Sequence, residues 1–454
     1  MDGATVNPTT DLTRTLATRA SGVSYDVLPD SVRALARQCV LDYIGVGLAG
    51  ADDPLVLILL DELSEPGADT QASVIGHPIG LPVLSAALVN GAAGHALDYD
   101  DVNLAMPGHP SVAILPGLLA LAEQRQSSGR EVIAAFVAGY ETACRIGMAI
   151  RPGHYGRGFH ATATVGCFGA AAACARLLGL DAETTAQALG IAGTQAAGLK
   201  SQFGTMCKPF HAGKASQNGL LAARLAARGF SSRPDFVECE QGFALTHSPD
   251  FHPEAALADP PDGFHILANL FKYHAACYMT HAPIECGRQL RETHGVVPDD
   301  IAAIALSVNR GSERICNIPA PIDGLEAKFS LRQTVAMALS GVDTASLDAY
   351  SAATATDPAL VALRQRVEFD FRDDSPEAAA ELAVTLRDGR VLRASHDAGV
   401  PSADIPAQGE RLAAKFDALA GPVLGPARAR ELRQAIDRLD SLPDAGEIAR
   451  LAAK

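Results

Sequence analysis

The 454-residue chain contains no tryptophan, and aromatic residues make up only 5% of it. An active site that handles carbocations favours an aromatic lining, so this scarcity counts against an isoprenoid-synthase reading of any acidic cluster. Among nine cysteines no CxxC pair occurs. A zinc ribbon, a thioredoxin-like site and an iron–sulfur centre therefore lack their signature, and the scattered, odd-numbered thiols read as reduced cysteines of a cytosolic protein. GxxxxGK[ST], a strand-borne GxGxxG and GxSxG are absent, which removes the main support for nucleotide, dinucleotide and α/β-hydrolase readings. The N-terminus has no apolar core of the signal-peptide kind, and the acidic Asp2 and Asp11 beside Arg14 and Arg19 argue against a transit peptide. No window reads as an uncharged apolar run of bilayer-spanning length, so a soluble cytoplasmic protein is expected. Basic residues are in deficit, 37 against 52 acidic, and the net charge of −15 repels nucleic acid and anionic membrane surfaces. Neither is expected as a partner.

What is plentiful is small and apolar. Hydrophobic residues reach 48%, with abundant Ala, Leu and Gly, which suits closely packed helices. The spacing predicts helices over 32–46, 84–96, 111–124, 131–149, 161–178, 182–199 and 212–228, several of them apolar nearly all round. After the proline-rich stretch 258–263 the pattern changes. Strands are predicted over 301–308 and 367–371, a helix over 330–339, and a hairpin at Asp388-Gly389 between two alternating runs. Helices return over 408–419 and 426–439. The reading is a mainly α protein: a large all-helical domain from residues 1–265 and 401–454, interrupted by a smaller inserted α+β lid domain from 266–400.

Polar clusters carry the chemistry. GHALDYDDVNLAMPGHP packs His95, Asp98, Asp100, Asp101 and His109 into one short span flanked by apolar sequence, where ionisable groups are costly unless they face a cavity or each other. A capping loop, a divalent-metal site and a metal-free acid/base site all fit that pattern. A second cluster holds Tyr155, Arg157 and His160, and a third Lys208 and His211. His109, His160 and the Lys208–His211 stretch each stand where a helix is predicted to begin, so converging N-termini and cations would suit a carboxylate. A fourth patch, FKYHAACYMTHAPIE, offers Lys272, His274, Cys277, Tyr278 and His281 at the domain boundary, where clefts form.

At these blocks, and at YGRGFH and GTMCKPFHAGKA, the sequence resembles the MmgE/PrpD family through nearly its whole length. The family includes 2-methylcitrate dehydratases, cis-aconitate decarboxylases and an iminodisuccinate epimerase. The resemblance implies a homodimer and chemistry without metal or organic cofactor. It matches Asp98, His109, His160 and Lys208 to the family's active-site aspartate, two histidines and lysine, and Tyr155 to a tyrosine implicated in proton transfer. Arg157, His211, Lys272, Cys277, His281 and Gln333 are the expected substrate-binding residues. Cys277 stands where decarboxylase members have a histidine, and Gln333 where they have a tyrosine after the Phe-Ser pair.

The shared chemistry is removal of a proton next to a carboxylate, with stabilisation of the enolate-like charge that forms. The expected substrate is a small carboxylate anion. Dehydration of a hydroxy-polycarboxylate, 2-methylcitrate dehydratase-like, is the first expectation. Epimerisation of a dicarboxylate is second, and cis-aconitate decarboxylation or a binding protein with a decayed site follows.

Overall fold

Side-chain caps start several helices. The computed structural model describes residues 11–64, 67 and 69–454, so Asp2 lies outside the described residues. The chain runs through α1 (Leu12–Gly22), α2 (Asp30–Ala49), α3 (Pro54–Leu63), a short antiparallel ladder of β1 (Ala72–Ser73) and β2 (Gly80–Leu81), then α4 (Val83–His95), α5 (Pro110–Arg125), α6 (Gly129–Ile150), α7 (Gly166–Leu177), α8 (Ala182–Gly193) and α9 (Cys207–Ala226). Asp53 accepts from the Leu55 N–H ahead of α3, Asp181 from the Thr184 N–H ahead of α8, and Ser128 with Glu131 forms a reciprocal capping box ahead of α6.

The chain divides into two compact units. The first comprises Met1–Phe271 and Asp404–Lys454, the second Lys272–Ala403. Residues 266–271 stay with the first unit because Val102 and Leu270 exchange backbone hydrogen bonds and the Ile266 N–H donates to Glu141. The change of unit therefore falls six residues beyond the expected boundary.

In the first unit, glycines let helix backbones touch. A Cβ on Gly213 of α9 would stand 2.2 Å from the Leu88 carbonyl oxygen of α4, and one on Gly139 of α6 would stand 2.3 Å from the Gly169 carbonyl oxygen of α7. This is the packing use of the glycine-rich composition. Two sequence readings need correction here. The unit is not purely helical, because β1 and β2 pair. And α6 is long and apolar enough to cross a membrane by length and composition, although 89% of its apolar window is buried inside the protein. That burial includes Glu141 and Arg145, and Arg145 donates to the Ala256 and Ala258 carbonyls and pairs with Asp259.

Three helix boundaries also differ. The stretch read as one helix from 161 to 178 is a single turn, Ala161–Thr164, followed by α7. The Thr164 hydroxyl there bonds the His160 carbonyl and the His154 ring. The helix read to 199 stops at Gly193, and the backbone reaches φ +139° at Gly198, a conformation outside any right-handed helix. The last of the three begins at Cys207 instead of Ala212. Pro209 fits in its first turn, where a missing N–H costs nothing, so Lys208 and His211 lie within α9 instead of before it.

The second unit contains α10 (His281–His294), β3 (Ile301–Asn309), α11 (Leu331–Leu339), β4 (Val367–Arg372), β5 (Ala379–Leu386) and β6 (Val391–Asp397). The sheet order is β4-β3-β5-β6, with β3 parallel to β4 and antiparallel to β5. The β5–β6 hairpin turns through Asp388 and Gly389 with Gly389 at φ +89°, and α10 packs on its strands. The chain then returns to the first unit as α12 (Ile405–Leu424), α13 (Pro426–Asp437) and α14 (Gly446–Ala452). α12 lies on α2, where Lys415 Nζ reaches Asp42 Oδ1 at 2.6 Å and the Tyr99 carbonyl at 2.8 Å.

Candidate active site

The contact between Gly91 of α4 and Gly213 of α9 sets the site's geometry. Because the backbones meet there, the last residue of α4, His95, lies near the first turn of α9, which carries Lys208. The segment leaving α4 turns at Asp98, whose φ of +51° lies in the left-handed region that few residues other than glycine enter. It returns to α5 with His109 as the N-cap residue. Gly108 seats that return: a Cβ there would stand 2.9 Å from the Thr162 nitrogen, and the His109 N–H donates to the Thr162 hydroxyl at 3.1 Å.

Lys208 Nζ lies 2.7 Å from Asp98 Oδ1, and His109 Nε2 lies 3.7 Å from the same oxygen. His109 Nδ1 stands 3.1 Å from Asp100 Oδ2, and His95 Nδ1 lies 2.9 Å from Asp100 Oδ1 and 3.0 Å from Oδ2. The His95 ring meets the His109 ring edge-on at 4.6 Å and stacks on His160 at 5.8 Å, and His160 Nδ1 lies 3.2 Å from His211 Nδ1. Phe203 covers the cluster, its ring 5.0 Å from that of His160 and 5.3 Å from Lys208 Nζ.

Burial decides the charges. It holds His95 down at about 4 against the opposing pull of Asp100, and it lowers His160 well below its usual value, with His95 and Lys208 adding to the effect. His211 is lowered by burial too. These rings are neutral near pH 7. Burial alone would raise Asp100, but His109 and His95 outweigh it and hold the carboxyl well below the ordinary carboxylate range.

The side chains of Asp98, His109, His160, Lys208 and His211 thus come together. The helix N-termini do so in a different sense from that expected. The Ser111 N–H and hydroxyl at the start of α5 are taken by Asp101, and the Lys208 and Cys207 amides by the Thr205 carbonyl and hydroxyl. At these two helix starts the Ser111, Cys207 and Lys208 amides are engaged, and Lys208 brings positive charge from its side chain. Tyr155 engages Lys200, whose Nζ sits 3.6 Å over its ring, and Arg157 donates to the Thr246 carbonyl from an exposed position. In the second unit Lys272, Cys277 and His281 are buried, and the His281 ring packs on His274 at 5.0 Å and Tyr278 at 4.9 Å. Gln333 is fully buried, its amide donating to the Thr354 carbonyl at 3.1 Å and accepting from Arg364 at 2.8 Å. Both ends of that amide serve the unit's interior.

Two groups noted in the sequence cluster, but not chosen from it, emerge as central: His95 and Asp100. The signal was their five-residue spacing within GHALDYDD, which carries a helix-end histidine back onto a carboxylate after one turn.

His95, Asp98, Asp100 and His109 each bring one donor atom within 4.8 Å of the others. By ligand type the set suits a divalent cation. The Lys208 ammonium is already against Asp98, and a metal bound there would be set beside that positive charge. Asp98 and Asp100 already have Lys208, His95 and His109 as counter-groups, an arrangement that also suits acid/base chemistry.

Ionisable groups so placed at helix ends are the material of an acid/base site. Comparison with known proteins identifies the lineage. The MmgE/PrpD N-terminal domain matches residues 14–256 and the MmgE/PrpD C-terminal domain residues 274–441. This chain belongs to the MmgE/PrpD family. Cis-aconitate decarboxylase of Homo sapiens is 29% identical over 453 residues, covering 95% of this chain and 92% of the relative. That of Aspergillus terreus is 30% identical over 463 residues, covering 94% and 92%, and that of Mus musculus is 28% identical over 462 residues, covering 97% and 93%. These relatives are lyases, and the lyase class of enzyme is supported for this chain. None of the three bears a dehydratase name.

Proposed function

We propose that this protein is a metal-independent lyase acting on a small polycarboxylate by proton transfer at the carbon next to a carboxylate. The observation that carries this is the contiguous chain Lys208–Asp98–His109–Asp100–His95, with neutral His160 and His211 alongside. Lys208 supplies the positive charge for a substrate carboxylate and for the enolate-like charge that develops, while neutral imidazoles accept and return protons. His160 and Lys208 flank the position Phe203 covers, and Tyr155, on the short helix Gly153–Gly156, serves as a further proton-transfer group. Arg157, Lys272, Cys277 and His281 are carried as substrate-binding residues, whereas Gln333, committed at both ends of its amide, is not.

Dehydration of a hydroxy-polycarboxylate such as 2-methylcitrate is the first reading. Decarboxylation of an unsaturated tricarboxylate is the second. The names of the relatives favour it more than the substitutions at Cys277 and Gln333 had suggested. Epimerisation of a dicarboxylate such as iminodisuccinate uses the same abstraction followed by reprotonation on the opposite face. The proposal includes a cytoplasmic homodimer, with light scattering at micromolar concentration as its check.

The test is incubation with citrate, methylcitrate, cis-aconitate and imino- or hydroxy-dicarboxylates in heavy water, followed by NMR. Loss of water, loss of carbon dioxide or inversion with deuterium uptake assigns the reaction. No turnover and no exchange across the panel would overturn the reading.

A further inference from the structure

Asp100 faces two imidazoles, hydrogen-bonded to His95 Nδ1 and 3.1 Å from His109 Nδ1, yet it is only 1% exposed and lies too deep to meet a substrate. A carboxylate is kept ionised at such depth only where donors compensate it. His95, whose side chain is fully buried, presents Nδ1 to both Asp100 oxygens, and its Nε2 has no hydrogen-bond partner. The polar contribution of that ring is therefore its Nδ1 donor. His109 is the more exposed of the two histidines, at 12% of its side chain. His109 Nδ1 is buried 3.1 Å from Asp100 Oδ2 and forms no hydrogen bond to any other group, so that carboxylate is the acceptor at hand for a proton on Nδ1, which leaves Nε2 as the working nitrogen. On His109 that nitrogen faces Asp98, which is paired with Lys208.

We propose that Asp100, held in place by His95, is the positioning carboxylate of His109, fixing its tautomer and ring orientation so that Nε2 exchanges the proton with the substrate. The inference rests on the acid/base reading above for its chemistry. Accepting a proton at Nε2 turns His109 into an imidazolium whose charge Asp100 offsets, and returning that proton restores the neutral ring. Asp100 stays ionised throughout. His95 and Asp100 are thus positioning residues, and His109 is the residue that meets the substrate.

The test compares Asp100→Asn, His95→Asn and His95→Phe with wild type in the full-length protein. Asp100→Asn should lower kcat on the order of a hundredfold to ten-thousandfold with KM little changed, since it removes the group that selects the tautomer. His95→Asn keeps a donor where Nδ1 stood and should recover most of the rate. His95→Phe fills the volume without a donor and should not. A native kcat in Asp100→Asn, or equal rates in the Asn and Phe variants, would overturn the proposal. Nitrogen-15 NMR of histidine-labelled wild type reads the tautomer without substrate or variants: His109 protonated at Nδ1 is required, and protonation at Nε2 with a bare Nδ1 overturns the assignment even if the variants misfold. If wild type turns over none of the carboxylates, the functional reading fails, while the NMR result still decides the positioning role.

Discussion

Replacing Gly213 by alanine tests whether the α4–α9 contact builds the site. In an ordinary helix interior the change favours folding, because alanine gains about 1 kcal/mol over glycine in helix propensity. Here the new Cβ would stand 2.2 Å from the Leu88 carbonyl oxygen, 3.0 Å from Leu88 Cδ1 and 3.1 Å from the Ala92 nitrogen. The nearest obstacle is backbone, so α4 and α9 must part by roughly 1 Å, and overpacking of this kind typically costs about 1–3 kcal/mol or more. A 2.2 Å approach to backbone belongs at the upper end of that range, about 2–3 kcal/mol, so after the propensity gain the net loss is roughly 1–2 kcal/mol. For a unit of about 320 residues, unfolding entropy converts each kcal/mol into ~1.5 °C, so Tm should fall by about 2–3 °C. Activity should fall with it, since Lys208 and His95 ride on the two helices being separated. Gly421 is the control: it lies inside α12 with nothing within 4 Å of a Cβ, so Gly421→Ala should stabilise by about 0.4–1 kcal/mol. Thermal and urea unfolding measure both. If Gly213→Ala proves as stable as Gly421→Ala, the claim that glycine is required at the crossing is wrong.

Lys208→Ala and His160→Ala should each lower turnover on the order of a hundredfold or more, the range for general acid–base groups, with little effect on stability. Lys214→Ala, whose ammonium pairs with Gln217 further along α9, should cost far less, and the reverse order would remove the site assignment. Burial raises Glu141 to about 7, so the folded state holds an extra proton above the unfolded carboxylate's range. Its contribution, ~3 kcal/mol, is fully present below pH 4.5 and is lost as pH rises through 7. Glu141→Gln should therefore gain stability relative to wild type between pH 5 and pH 8 in urea titrations, and an unchanged difference would contradict the buried-acid account. Chelator-treated protein with metal content near zero should retain its full rate, while recovery only on adding zinc, magnesium or iron would show that His95, Asp98, Asp100 and His109 ligate an ion.

By itself the sequence determined the helical character of most of the chain, the Asp388-Gly389 hairpin and the blocks that hold the chemistry, because these depend on local periodicity, turn residues and residue type. Helix ends were less legible. The Gly198 conformation and the tolerance of Pro209 in a first turn place α8's end and α9's start, and neither follows from apolar spacing. Only the tertiary structure decided which polar groups meet. Lys208 and Asp98 are far apart in sequence and become an ion pair because two glycines let α4 and α9 touch. The amides at the starts of α5 and α9 looked available to a carboxylate until Asp101 and Thr205 were seen to occupy them. Asp100 could be singled out from the sequence only as one acid among several. Its importance lies in burial and in the two imidazole nitrogens packed against it, which are properties of how segments fold together rather than of any one of them.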